Sequence, residues 1–149
     1  MSTPLTPQNV DVRGPRFAAW ITSAVLALTL VTGWWVLLAI QAIVFALGAA
    51  LGPRRSPYGM LFANVVAPRI GPVREREPAA PVRFAQLVGL LFAVAALVGY
   101  ISGAVLAGQI FTGLAFIAAF LNAAFGICLG CQMYPLVAQL RSGSRSSAA

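Results

Sequence analysis

The sequence predicts an all-α membrane protein, a four-transmembrane-helix bundle of two helical hairpins with a short interfacial helix in the central cytoplasmic loop. Three observations lead there. The composition is 60% hydrophobic and only 9% charged, against roughly a quarter charged in soluble domains. Mean hydropathy is +0.87. All 10 basic residues are arginine and lie outside the long apolar runs, against Asp11, Glu75 and Glu77 as the only acids, for a net charge of +7. Basic charge spaced between apolar runs orients helices and meets anionic headgroups. That placement excludes a nucleic-acid partner and makes the lipid bilayer the expected one.

Residues 1–16 are polar and proline-dotted and read as a flexible cytoplasmic tail. Residues 17–140 form the membrane domain. The apolar stretch from Phe17 to Leu51 is too long for a cleavable leader and too long for one span, which takes about 20 residues. Thr32-Gly33 divides it into spans at about 17–32 and 34–51, with Trp34 and Trp35 at the turn as interfacial aromatics. Residues 53–83 are a loop. Within it, Ser56-Pro57 reads as an N-cap followed by proline at the first helical position. Tyr58 to Ala67 is then apolar but too short to span, so it reads as a helix in the headgroup plane; the alternative is an ordered segment packed under the bundle. From Pro68 to Pro81, prolines and mixed charges make a linker without a packed core.

The third span runs over about 84–106 and turns at Ala107-Gly108-Gln109. The fourth covers about 110–130, although its uncharged run continues to Leu140, which implies tilt, a break or an extension beyond the membrane. Residues 141–149 read as a disordered tail. Neither hairpin turn carries a charge, so the positive-inside rule places both termini in the cytoplasm of a multi-pass protein of the plasma (inner) membrane. The hairpins also echo each other. Arg16-Phe17-Ala18 opens the first and Arg83-Phe84-Ala85 the second, while Gly48-Ala-Ala-Leu-Gly52 and Gly126-Ile-Cys-Leu-Gly130 close them. A pseudo-two-fold repeat follows, with the second and fourth helices facing each other across the axis.

Chemistry concentrates at Cys128 and Cys131, the only cysteines of a chain with no histidine. An i, i+3 spacing puts both on one helix face with Cβ atoms about 5–6 Å apart, a little beyond disulfide distance, and Gly130 between them supplies give. A helix break there would set Cys128 near a new helix N-terminus, which raises thiolate content. The spacing suits thiol–disulfide exchange or persulfide transfer; the competing role is small-residue packing beside Gly126 and Gly130. A reducing cytoplasm favours the dithiol at rest. Two thiolates fall short of the four ligands of zinc or an iron–sulfur cluster, so no metal and no cofactor is expected for one chain, and only a homo-oligomer could assemble a four-cysteine site. Asn122 and Gln41 read as interhelical hydrogen-bonding groups, and Tyr134 supports the cysteine turn. Arg54 and Arg55, with Arg69, could form an anion site at the N-terminus of the Tyr58 helix, against the simpler role of marking topology.

The residues Arg13 to Phe17, Gly52 to Gly59, Arg83 to Gln86 and Asn122 to Tyr134 resemble a small bacterial integral-membrane family, common in actinobacteria, called domain of unknown function 4395. The resemblance covers about Val10 to Leu140, and its most specific part is the Phe-Gly-x-Cys-Leu-Gly-Cys-x-x-Tyr end. It implies a four-helix membrane protein with a Cys-x-x-Cys end and no established activity. It also implies a genetic neighbourhood of thioredoxin-like or sulfurtransferase proteins, which are the expected soluble partners. The resulting expectation is a membrane-bound thiol redox or sulfur-relay component. The alternatives are a non-enzymatic scaffold or complex subunit, and a small transporter for a thiosulfate-like anion. The transporter lacks a charged residue within a span, where substrate paths normally carry one.

Overall fold

The computed structural model describes the backbone of residues 9–71 and 76–147 and the side chains of 11–71 and 79–140. Expectations for residues 1–8, 72–75 and 148–149 lie outside the described residues. A three-residue strand β1 (Asn9–Asp11) leads into α1 (Arg13–Thr32), and α2 (Trp35–Leu51) completes the first hairpin. The loop holds α3 (Pro57–Leu61), a π-helical turn (Phe62–Val66) and α4 (Ala67–Ile70). Strand β2 (Arg76–Pro78), α5 (Ala79–Ser102), α6 (Val105–Phe125) and α7 (Leu129–Ser147) follow. Among the described residues the antiparallel β1–β2 pair is the one piece of sheet, and it ties the start of α1 to the start of α5.

The first hairpin turns as its residues predict. Gly33 ends α1 at φ 68°, and its N–H returns to the Thr29 carbonyl. The second turn falls at Gly103-Ala104 rather than at Ala107-Gly108-Gln109. Gly108 instead lies inside α6, where its backbone N is 2.6 Å from the position a Cβ on Gly99 would take. Small residues are what allow membrane helices to approach this closely, so Gly108 serves packing and Gly103 (φ 91°) makes the turn.

Four helices form a ring. α1 packs on α6, α2 on α5, and α5 on α6, with a lighter contact between α1 and α2. Exchanging the hairpins maps the α1–α6 contact onto α5–α2, as a pseudo-two-fold arrangement requires. Helices α2 and α6 lie diagonally across the ring and do not pack face to face, because each is already covered by the other hairpin's first helix. The burial pattern is that of a membrane protein. Fully buried positions include Ala96, Ala123, Thr29, Thr112 and Gln41, while Val31 is 84% and Leu106 70% exposed. Large apolar side chains pointing outward over small and polar ones suit a lipid surround, where close helix approach rather than hydrophobic burial holds the bundle. α1, α5 and α6 are long and apolar enough to cross a membrane, and α2 is a shorter apolar helix of 17 residues.

The segment after α2 is helical and docks beneath the bundle. The Ser56 hydroxyl accepts from the Gly59 N–H at 3.1 Å, the predicted cap. Pro68 does not end the helix. It lacks the N–H of a regular turn, and the π-helical turn just before it, a common local adjustment, lets the chain continue to Ile70. Phe62 is buried, its ring 5.8 Å from that of Phe17. The Tyr58 hydroxyl donates to Gln41 Oε1 at 2.7 Å, and Gln41 Nε2 donates to Thr22 Oγ1 at 3.2 Å. Gln41 therefore joins α1, α2 and α3, as interhelical glue should. Burial pushes the Tyr58 phenol up from its ordinary value and keeps its donating proton in place. Replacing Gln41 by Leu strands both partners, and we expect a loss of about 1–3 kcal/mol per stranded group, read as a lowered unfolding temperature in detergent.

Candidate functional site

The last apolar run is broken, and the break builds the site. Gly126 ends α6 at φ 73°, a left-handed conformation suited to glycine. The Ile127 N–H returns to the Leu121 carbonyl at 3.2 Å, the six-residue bond of a Schellman motif. The chain then restarts as α7, with Cys128 as its N-cap. The Cys128 carbonyl accepts the first helical bond from the Gln132 N–H at 3.0 Å. Its Sγ accepts from the Cys131 N–H at 3.2 Å. A cysteine sulfur thus occupies the place usually filled by a serine or aspartate oxygen. Four residues after Cys131, Pro135 sits inside α7, so the Cys131 carbonyl receives no helical donor.

Cys128 and Cys131 are joined as a disulfide, with Cα atoms 5.1 Å apart. The structure therefore holds the oxidised pair, where the sequence suggested a dithiol at rest. The non-helical Ile127 and Cys128 supply the distortion that a continuous helix would lack. Gly130 fixes where the turn sits: a Cβ there would meet the Ala85 Cα and Cβ at 2.7 Å. Tyr134 packs its ring 5.9 Å from Phe84, and Cys131 lies against Ala79 and Val82. α7 thus rests on the first turns of α5. Its backbone stays helical to Ser147, where the sequence suggested a disordered tail from residue 141.

Beside the disulfide lies a cleft of about 300 Å³ between α1, α5 and α6. Its walls are mainly alanine, glycine and apolar side chains, with Thr22, Gln86 and Asn122 as the polar exceptions. Asn122 makes no side-chain hydrogen bond among the described residues, contrary to its expected role as interhelical glue. Its position on α6 borders the cleft.

Arg54 and Arg55 are not brought to the cysteines. Both are exposed, as is Arg69. Arg54 borders an adjoining cavity of about 180 Å³ with Asp11 and Ser56, and the N-terminus of α3 is already occupied by its Ser56 cap. Other arginines matter more to the architecture. Arg16 Nη2 donates to the Ala123 carbonyl at 3.2 Å, near the end of α6. Arg83 donates to the Ala49 and Ala50 carbonyls at 3.0 and 2.9 Å, near the end of α2. Arg13, paired with Asp11 at 2.7 Å, donates to the Ile70 and Gly71 carbonyls, both at 3.2 Å, at the end of α4. A cation at a helix C-terminus satisfies orphan carbonyls and complements the dipole. Each hairpin therefore closes the other through the arginine of its Arg-Phe-Ala start. That repeated tripeptide was the one sequence signal for these caps.

The molecule is thus an all-α membrane bundle whose last helix starts at a capping cysteine pair. The chain belongs to the domain of unknown function family DUF4395, whose model matches residues 10–139. No curated protein and no solved structure matches it.

Proposed function

We propose that the protein is a membrane-bound thiol redox component in which Cys128 and Cys131 cycle between dithiol and disulfide. The observation that carries the proposal is the N-cap position of Cys128. A helix N-terminus favours negative charge and, with the Cys131 N–H aimed at the sulfur, stabilises the thiolate, which is the nucleophile of exchange. Cys128 is the attacking residue. Cys131, packed on Ala79 and Val82, is the resolving one. In exchange the Cys128 thiolate attacks a partner disulfide and expels a partner thiolate. Cys131 then attacks Cys128 Sγ and releases the second. The reverse sequence oxidises a partner dithiol.

With α2 as a fourth span, the arginine-bearing end is cytoplasmic by the positive-inside rule, and the α3–α4 segment and the cysteine turn lie at that face. A soluble thioredoxin-like or sulfurtransferase protein is then the natural exchange partner. The same pair would serve as a sulfur relay if the partner delivered a persulfide.

The test is trapping. Cys131→Ser should accumulate a mixed disulfide on Cys128 that reductant dissolves, and Cys128→Ser should not. Equal trapping by both variants, or by neither, sinks the assignment of roles. Labelling of the reduced pair by membrane-impermeant reagent in intact cells would overturn the cytoplasmic placement.

A further inference from the structure

We propose that the cleft beside Cys128 and Cys131 binds the ring of a membrane-soluble quinone, which reoxidises the dithiol. The inference rests on the redox role of the pair and supplies its electron acceptor. A dithiol at a reducing face needs an oxidant stronger than the soluble thiol pool, and a bilayer can deliver one laterally. The cleft has the features such a molecule requires. Its volume of about 300 Å³ is at the small end of ligand pockets, which run from about 300 Å³, and suits one substituted ring with its chain left in lipid. Its walls on α1, α5 and α6 are mostly apolar, and Cys128 and Cys131 form one end of it.

Two side-chain amides, Gln86 on α5 and Asn122 on α6, also border the cleft. Neither makes a side-chain hydrogen bond among the described residues. Each amide can donate to a quinone carbonyl, and a donor that strengthens as charge develops on that oxygen favours reduction. Ala115, Ala118 and Ala119 line the α6 side of the cleft, where larger side chains would close it.

The step balances without further reactants. Two S–H bonds break and one S–S bond forms between Cys128 and Cys131. The two electrons and two protons pass to the quinone, whose two carbonyl oxygens become the hydroxyls of the quinol.

The experiment uses the full chain, reduced, in lipid nanodiscs under anaerobic conditions, with duroquinone as the probe. Its ring is fully substituted, so thiols do not add to it by simple conjugate addition. The expected result is one quinol formed per disulfide, with saturation in quinone. Ala118→Leu, which fills the cleft, should slow quinol formation at least tenfold with the unfolding temperature retained. If that variant does not fold, Asn122→Leu should raise the half-saturating quinone concentration severalfold. Absence of quinone-dependent oxidation, or equal rates in wild type and the cleft variants, would overturn the proposal and leave the cleft to lipid chains. Oxidation of the same reduced protein by a soluble disulfide is measured in parallel. If that proceeds and quinone reduction fails, the thiol redox role stands and the quinone site falls.

Discussion

Replacing Gly130 by Val should detach the cysteine turn from the bundle. The Cβ position at Gly130 lies 2.7 Å from both the Ala85 Cα and Cβ. Ala85 Cα is backbone and has no rotamer with which to give way, so α7 must move as a body. The movement would open the Phe84–Tyr134 ring contact and the seat of Cys131 on Ala79 and Val82. Overpacking of this kind costs about 1–3 kcal/mol where a core can adjust, and more where the obstacle is backbone. Since α7 is the last element and rests mainly on α5, the loss should be local. Proteolysis within α7 should accelerate at least tenfold, while the four-helix ring keeps its thermal transition. A variant whose α7 stays protected would mean that the turn is not held by this contact.

The largest effect on the bundle itself is expected at Gly99. A Cβ there would lie 2.6 Å from the Gly108 N and 3.1 Å from the Ala104 carbonyl. Gly99→Val should therefore force α5 and α6 apart next to their connecting turn. The transferable cost of overpacking, about 1–3 kcal/mol, is a lower bound here, because both obstacles are backbone. We expect loss of the folded protein from detergent extracts, or an unfolding temperature lower than that of any cleft variant. Gly113→Ala, at a position with nothing within 4 Å of its Cβ, is the matching control and should be nearly silent.

Which parts of this arrangement the sequence could disclose follows from the range of the forces involved. The hairpins, the loop and the common arginine-bearing end follow from charge and apolar length, which act on each segment alone. The Ser56 cap is equally local and forms as its residues indicate. The second turn falls elsewhere than expected because glycine marks both turns and close helix contacts. Gly103 and Gly108 differ only in what lies opposite, and that depends on the fold. Gly126 is ambiguous in sequence for the same reason, since a glycine in an apolar run can end a helix or line one. Asn122 needs a partner to act as glue, and whether α1 or α5 offers one cannot be read from α6. The capping by Arg16 and Arg83 also needs a partner from the other hairpin, and the repeat of Arg-Phe-Ala hints at equivalence without showing the carbonyls. Arg54 and Arg55 group with the α3 N-terminus by sequence proximity alone, and the Ser56 cap already takes that position.

Cycling of Cys128 and Cys131 requires that the N-cap cysteines form a reversible two-electron couple. The most direct measurement is a redox titration of the full-length protein in glutathione buffers of graded potential, with the free thiols alkylated and counted by intact mass. A single transition from two thiols to none, inside the range of about −120 to −270 mV occupied by catalytic dithiols, is the predicted result. Two thiols that remain alkylatable across the whole series, or that oxidise only into crosslinks between chains, would contradict it.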